Sequence, residues 1–538
     1  MRHDEERTML DLKIEGATVI DGTGSVGGRA DVGVREEVIA AVGDLSREAA
    51  GRVINAAGRM LAPGFIDMHS HSDFRLGLNP RAESKIRQGV TTEVVGNCGF
   101  SPAPVSPQFR HEFRGFALYL PKGVEYDFPT VGDYLRALDG DGMAVNVVPL
   151  VGHGSLRVAT MGFARRPPTA PELGRMQRLL ADGIEDGAWG MSTGLVYAPG
   201  SFATTEEIVD LARVAARHRG FYASHIRGEG ATLLDAVREA IRVGRDADLP
   251  VQISHVKAAG RPNWGKVADA LALIDAAAAE GLDVLADVYP YTASSTSLRT
   301  LLPDWALEGG IDAMIAHLGD PDTRTRIREH LEAPTGQSLL ERLGWDNVMI
   351  AWCAQRKDAE GRRVAEIAAA RGMAPFDAAC ELLVDERGKA AVILFQLDEA
   401  DVRRALTHPR VMIGSDGSAL APYGELGAGK PHPRSYGTFP RVLGEYAREQ
   451  RVLTLAQAVH KMTGMPARRL GLRDRGVIRV GAQADLVVFD ARRVADQATY
   501  QDPHRYPTGI DHVVVNGRLV IKDGEHTGSL PGRVLRQP

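Results

Sequence analysis

Long apolar runs, cysteine and charge bias are all scarce in this chain of 538 residues. No apolar run reaches the roughly 20 residues that cross a bilayer. The N-terminal Met1-Arg2-His3-Asp4-Glu5-Glu6-Arg7 is charged and does not lead into the apolar core of a signal peptide. Cys98, Cys353 and Cys380 are odd in number and far apart. That argues against a disulfide framework and fits a reducing compartment, so a cytoplasmic protein is expected. The net charge of -5 mixes both signs without a basic patch or stripe, which gives no argument for nucleic acid. Low-complexity tracts are also missing. What remains is globular in composition, 44% hydrophobic and 25% charged, and long enough for a large barrel with accessory pieces.

The two ends of the chain share a pattern. Residues 9–62 carry short alternating apolar stretches, such as Leu10-Asp11-Leu12-Lys13-Ile14 and Val38-Ile39-Ala40-Ala41-Val42. Turn clusters such as Asp21-Gly22-Thr23-Gly24 separate them. Similar stretches return at 477–480, 485–489 and 510–515, with Asn516-Gly517 as a hairpin signal. Residues 1–62 and 476–538 are therefore expected to form one small β-sandwich. Between them, 63–475 alternates apolar strands with amphipathic helices, the mark of a parallel α/β sheet with crossovers. Candidate strands lie at 64–70, 91–97, 145–151, 188–193, 221–226, 250–256, 283–289 and 410–415. Eight is the number that a closed TIM-like (β/α)8 barrel needs. Helical spacing of apolar residues runs over 207–218, 233–243 and 266–279. The stretch of about 296–408 reads as an insertion between strands 7 and 8, lying over the barrel mouth as a lid or substrate wall.

Active sites of such barrels sit at the C-terminal ends of the strands. The first strand ends in His69-Ser70-His71, whose imidazoles point the same way on an extended chain. Strand two ends in Asn97-Cys98-Gly99, strand three in Gly152-His153-Gly154, strand five in Ser224-His225, strand six in Ser254-His255 and strand eight in Ser415-Asp416. A lone histidine after a strand is more often a hydrogen-bonded rim residue. Four histidines, a cysteine and an aspartate at strand ends together read as a metal site. Imidazoles, one thiolate and a carboxylate suit zinc rather than magnesium. Asp416 beside the metal is the natural general base. Cys353 and Cys380 lack such company and read as core, His432, His460 and His504 as loop or surface residues. His153 is evenly poised between site and structural turn.

These motifs resemble the amidohydrolase superfamily: Pro63-Gly64-Phe65-Ile66-Asp67-Met68-His69-Ser70-His71, the histidines of strands five and six, and Gly414-Ser415-Asp416-Gly417. Many members carry a modified lysine on strand four, but here that strand reads Trp189-Gly190-Met191-Ser192-Thr193-Gly194. Cys98 in its place resembles one branch, the D-aminoacylases or N-acyl-D-amino-acid deacylases. Gly194-Leu195-Val196-Tyr197, His225-Ile226-Arg227-Gly228-Glu229, Asp287-Val288-Tyr289-Pro290-Tyr291 and His432-Pro433-Arg434-Ser435-Tyr436-Gly437 match that branch as well. The resemblance implies a tight zinc on Cys98, His225 and His255, a weaker or variably filled second site at His69 and His71, and Asp416 as catalytic acid/base. The substrate carboxylate needs a cation and hydroxyl donors. Lys257, Tyr291, Ser297 and Arg434 are the candidates, with Tyr289 as a substitute for Tyr291.

The activity so implied is zinc-dependent hydrolysis of small N-acyl-D-amino acids. Leu298, Leu301, Leu302 and Trp305 favour neutral or apolar side chains, although Arg299 could serve an acidic one. Another amidohydrolase activity, on cyclic amides or by deamination, shares the metal and the aspartate but needs no carboxylate clamp. A barrel that had lost its chemistry and served as a binding protein would normally have lost ligands, and none is missing here. Nothing in the sequence bears on oligomeric state.

Overall fold

The central strands are short, apolar and buried on both faces, as strands covered by helices must be. They run Phe65–Asp67, Val90–Val95, Asn146–Pro149 continued by Val151–Gly152, Gly190–Gly194, Phe221–His225, Val251–Ile253, Val284–Val288 and Val411–Ile413. Each overlaps one of the eight predicted runs. The computed structural model describes residues 9–25, 27–117, 127–333 and 339–537, and the charged segment 1–7 lies outside them. Neighbouring strands pair in parallel in chain order, three in one group and six in the other, with strand three split between the groups. The order closes where Ser70 bridges Gly417 and the Asp416 N–H donates to the His69 carbonyl at 2.7 Å. First and last strand ends are thereby locked side by side.

Helices Thr205–Arg217, Leu233–Ala247 and Val267–Ala279 follow three of the strands. Their apolar stripes, including Ile208, Leu211, Val237, Ile241 and Ile274, join the main core. Thr204 caps the first of them by accepting from the Glu207 N–H at 3.2 Å.

The two chain ends share one core, in which Leu12, Ile14 and Val34 lie with Leu486, Val488 and Val514. Leu486–Phe489 pairs antiparallel with Met60–Pro63, which pairs parallel with Leu10–Val19. Hydrogen bonding is thus continuous through one nine-stranded sheet. Met60–Pro63 is the joint, because it leads straight into Phe65–Asp67. Gly64 makes that passage possible: a Cβ there would lie 2.2 Å from the Thr91 hydroxyl.

Between the seventh and eighth parallel strands, Ala293–Ser297, Ala391–Phe395 and Val348–Trp352 form an antiparallel sheet. Helices such as Val364–Arg371 and Pro375–Asp385 pack beside it around a core that contains Cys353 and Cys380. No helix among the described residues is long and apolar enough to cross a membrane.

Candidate metal centre and substrate cradle

Three of the predicted donors sit where the backbone is strained. Cys98, His255 and Asp416 have φ of 53°, 35° and 51°, in the left-handed region that side chains rarely adopt. Each lies two or three residues past a strand end, where a left-handed turn can direct its side chain back over the ring. Strain of this kind is held by its surroundings and clusters at functional sites. Strand four holds the Cys98 turn. The Ser192 hydroxyl accepts from the Gly99 N–H at 2.9 Å and donates to the Gly96 carbonyl.

The side chains converge. His69 Nε2 lies 3.2 Å from Cys98 Sγ and 3.5 Å from Asp416 Oδ1. Cys98 Sγ lies 3.5 Å from His255 Nε2, and His71 Nε2 lies 3.0 Å from Asp416 Oδ1. Donor atoms of His69, Cys98, His255 and Asp416 all fall within 4.8 Å of one another, and those of His225, Glu229 and His255 do the same. His255 is common to both groups. Its backbone N–H and the His69 ring are both oriented by Asp287, at 2.8 and 3.3 Å. Orientation of metal ligands by carboxylates is a usual support of such sites.

Electrostatics match the geometry. Burial alone would raise the Cys98 thiol, but His69, His225 and His255 outweigh it and hold it well below the thiol range. Burial likewise opposes charge on His71, yet Asp416 and Cys98 push it up to about 9. A buried thiolate and carboxylates favour positive charge at this point, which is the field a metal cation needs. Burial pushes His225 down, leaving it neutral, the ligand form of imidazole. Both of its ring nitrogens are buried without a hydrogen-bond partner. Nitrogen, thiolate and carboxylate donors in this combination fit zinc. Asp416 is ionised: burial would raise it, but Arg434 at 2.7 Å and His71 hold it well below the carboxylate range.

Two cavities meet over this cluster. One, of about 140 Å³, borders His71, Cys98 and Arg434; the other, of about 580 Å³, borders His225, His255, Lys257 and Tyr289. Asp416 and Tyr197 line both. Lys257 Nζ is held by Glu229 at 2.5 Å and by His255 Nδ1 at 2.6 Å. Lys257 and Arg434 flank the Tyr289 ring at 5.6 and 5.0 Å from its centroid. The Tyr289 hydroxyl is buried without a partner, and burial keeps it protonated and able to donate.

Two expected substrate contacts are not brought here. Tyr291 faces the other way, its ring edge-on to His432 at 5.2 Å and under the Arg441 guanidinium at 5.1 Å. The cause is an i to i+2 hydrogen bond from the Tyr291 N–H to the Tyr289 carbonyl at 3.0 Å, which breaks the strand alternation. The Ser297 hydroxyl is buried against the Gly388 and Ala390 carbonyls, both at 3.3 Å, while Ser295 and Thr296 line the cavities. Arg299 donates to the Gly115 and Phe116 carbonyls at 2.7 and 3.0 Å, so it braces the insertion. His153 pairs with Glu207 at 2.9 Å and takes the structural role. His432, read as a loop or surface residue, lies in a loop but is buried and lines the smaller cavity. Glu229 and Tyr197 belong to the site and were legible only as motif members, Glu229 by its spacing of four from His225.

Comparison with known proteins adds an independent line. The family model described as "Amidohydrolase family" matches residues 52–521. The chain is 41% identical to a D-aminoacylase of Alcaligenes xylosoxydans xylosoxydans, covering 98% of this chain and 97% of the relative. It is 42% identical to an N-acyl-D-glutamate deacylase of the same organism, with 98% and 97% covered. Among solved structures, the N-acyl-D-glutamate deacylase from Bordetella bronchiseptica, complexed with zinc and a phosphonate mimic of the reaction tetrahedral intermediate, superposes with a TM-score of 0.83. It is 39% identical, with 98% of this chain and 100% of that chain covered.

Proposed function

The chain belongs to the amidohydrolase family, and from that premise we propose that it hydrolyses N-acyl-D-amino acids to a carboxylate and a free D-amino acid, with zinc as its metal. We read the circular strand order as a (β/α)8 barrel spanning 63–475, with 1–62 and 476–538 as the two parts of a small β domain. The observation that carries the function is the placing of Asp416 between a metal-binding cluster and a cradle for a carboxylate. Cys98, His225 and His255 would hold the tight zinc, and His69 and His71 would serve a second, weaker position beside Asp416. Bound zinc supplies Lewis acidity that polarises an amide carbonyl and activates water near neutral pH.

The chain's own groups do the rest. Lys257, Tyr289 and Arg434 bind the α-carboxylate by charge and a hydroxyl donor. With that anchor fixed at one side of the amide, the side chain of a D-residue and that of an L-residue leave in different directions, and one of them meets a wall. Asp416, ionised at the outset, takes a proton from the attacking water and passes it to the leaving nitrogen. Leu301, Leu302 and Trp305 line the larger cavity; of the arginines there, Arg227 is paired with Glu239 at 2.9 Å, Arg342 is half-buried and Arg165 is exposed, as is His330. We therefore assign neutral or apolar D-residues as the preferred substrates.

Zinc-loaded enzyme should release free amine from N-acetyl-D-leucine faster than from N-acetyl-L-leucine or N-acetyl-D-glutamate. Asp416→Ala should keep its zinc, measured by mass spectrometry, and lose about 10²- to 10⁴-fold in turnover. Near-normal turnover in that variant, or no preference for the D-enantiomer, would sink the assignment.

A further inference from the structure

The two cavities are unlike, and Asp416 stands between them. Lys257 and Tyr289, two members of the carboxylate cradle, line only the larger one; Arg434 lines the smaller but reaches over the Tyr289 ring. The amino-acid half of an amide must lie within reach of that cradle. Its nitrogen is then at Asp416, and the acyl chain must leave on the opposite side, past Cys98 and His71. That path enters the cavity of about 140 Å³. Part of its wall is apolar, namely Phe74 and Phe100 beside Cys98, Trp352 from the insertion sheet, and Leu420 and Leu426 from the segment after Asp416, while Ser418, His432 and Arg434 are among the polar residues that line the rest. Phe74, Phe100 and Leu420 are buried, and the exposed Glu425 marks the far, open end.

We propose that this cavity is an acyl-chain subsite, and that the enzyme's substrates carry acyl groups of about six carbons or a phenyl group rather than acetyl. The proposal rests on the deacylase reading and extends it to the other half of the substrate. An acetyl group reaches only to the metal cluster and leaves the apolar walls unused. An apolar cavity of about 150 Å³ holds a benzene-sized guest. Each methylene buried in such a place is worth about fourfold, or about 0.8 kcal/mol. The insertion supplies Trp352 and the segment after Asp416 supplies Leu420 and Leu426, so both close over the acyl chain together.

The test is a matrix of N-acetyl, N-hexanoyl and N-decanoyl forms of D-leucine and D-methionine. Zinc-loaded enzyme should show a kcat/KM about tenfold or more higher for hexanoyl than for acetyl, with no further rise at decanoyl. Calorimetric titration with hexanoate and acetate, needing no turnover, should show hexanoate binding at least tenfold tighter. Leu426→Trp, at a half-buried position, should cut the hexanoyl-to-acetyl ratio about tenfold and leave the leucine-to-methionine ratio in place. Trp305→Ala in the larger cavity should do the reverse. Acetyl preferred over hexanoyl in both assays overturns the subsite while the deacylase activity stands. Leu426→Trp acting on the leucine-to-methionine ratio instead overturns the assignment of halves. Release of no D-amino acid from any of the six compounds overturns the activity itself.

Discussion

Lys85 is a cation with no access to water, and what surrounds it explains why it is there. Its ammonium group donates to Asp67 Oδ2 at 2.8 Å and to the Ser415 hydroxyl at 2.6 Å, with Glu93 at 3.5 Å. The other oxygen of Asp67 accepts from the backbone N–H groups of His69 and Ser415, at 3.2 and 2.8 Å. One lysine therefore ties the end of the first strand to the end of the eighth, directly behind His69 and Asp416. Lys85→Met leaves two buried carboxylates without their cation and should destabilise the zinc-loaded protein by about 3–5 kcal/mol in urea denaturation. Arg166→Ala, which breaks an exposed pair with Glu172, should change stability by less than about 1 kcal/mol. Equal effects would contradict the structural weight given to Lys85. Tyr289 offers a second residue-level test. Tyr289→Phe removes one hydrogen bond to a charged group, about 1.5–3 kcal/mol, so KM should rise about tenfold or more with kcat less affected. Tyr291→Phe should leave KM unchanged. The contrast also marks how far residues could be read without coordinates. His69, His71, Cys98, His225, His255 and Asp416 were legible because strand ends are legible and metal donors have few other reasons to gather there. Tyr289 could not be told from Tyr291, since a single i to i+2 hydrogen bond turned the chain after the strand had ended.

At the scale of elements, strand four explains why a thiolate from strand two can reach the metal cluster. A Cβ on Gly194 would lie 2.0 Å from the Cys98 carbonyl oxygen, so the two backbones touch. A side chain there has no room, and the 96–99 turn rests directly against strand four. Gly194→Ala should push that turn away from strand four. Zinc bound after dialysis, measured by mass spectrometry, should fall by half or more, while far-ultraviolet circular dichroism stays that of the parent. Full zinc content in the variant would argue that the contact does not set the cysteine's position. The strands themselves were visible in sequence as apolar runs buried on both faces. That the chain ends come together was legible from their shared pattern, but the pairing of Met60–Pro63 with Leu486–Phe489 across more than four hundred positions was not, because no local pattern encodes it. The antiparallel sheet of the insertion was half visible for the same reason. Val348–Trp352 is an apolar run of the kind that reads as a strand, but Ala293–Ser297, which walls both cavities, is mostly serine and threonine and gives no apolar signal.

At the scale of the whole molecule, His432 joins three parts of the chain. It lies on the segment between Asp416 and Arg434, donates from Nε2 to the Ala293 carbonyl of the insertion sheet at 3.0 Å, and stands edge-on to Tyr500 of the C-terminal part at 5.2 Å. Its Nδ1 accepts from the Arg434 N–H at 3.1 Å, which fixes the neutral tautomer. Burial first, and Arg434 next, push its pKa well below the ordinary histidine value. The sign of the linkage follows. Below about pH 6.5 the unfolded chain binds a proton at this position and the folded protein does not, so stability falls as pH falls. The loss is about 1.4 kcal/mol per pH unit for one such group until the folded pKa is reached. His432→Gln keeps a donor for Ala293 and an acceptor but cannot titrate. Between urea midpoints of zinc-loaded parent and variant, compared at pH 7, 6 and 5, the difference should be constant above the unfolded pKa and shift against the parent below it, because titrations elsewhere are common to both. The variant should lose less stability than the parent over that interval by about one proton's worth. A constant difference at all three pH values would mean that His432 binds a proton equally well folded and unfolded, so that neither burial nor Arg434 holds the ring neutral at the joint between barrel, insertion and C-terminal strands.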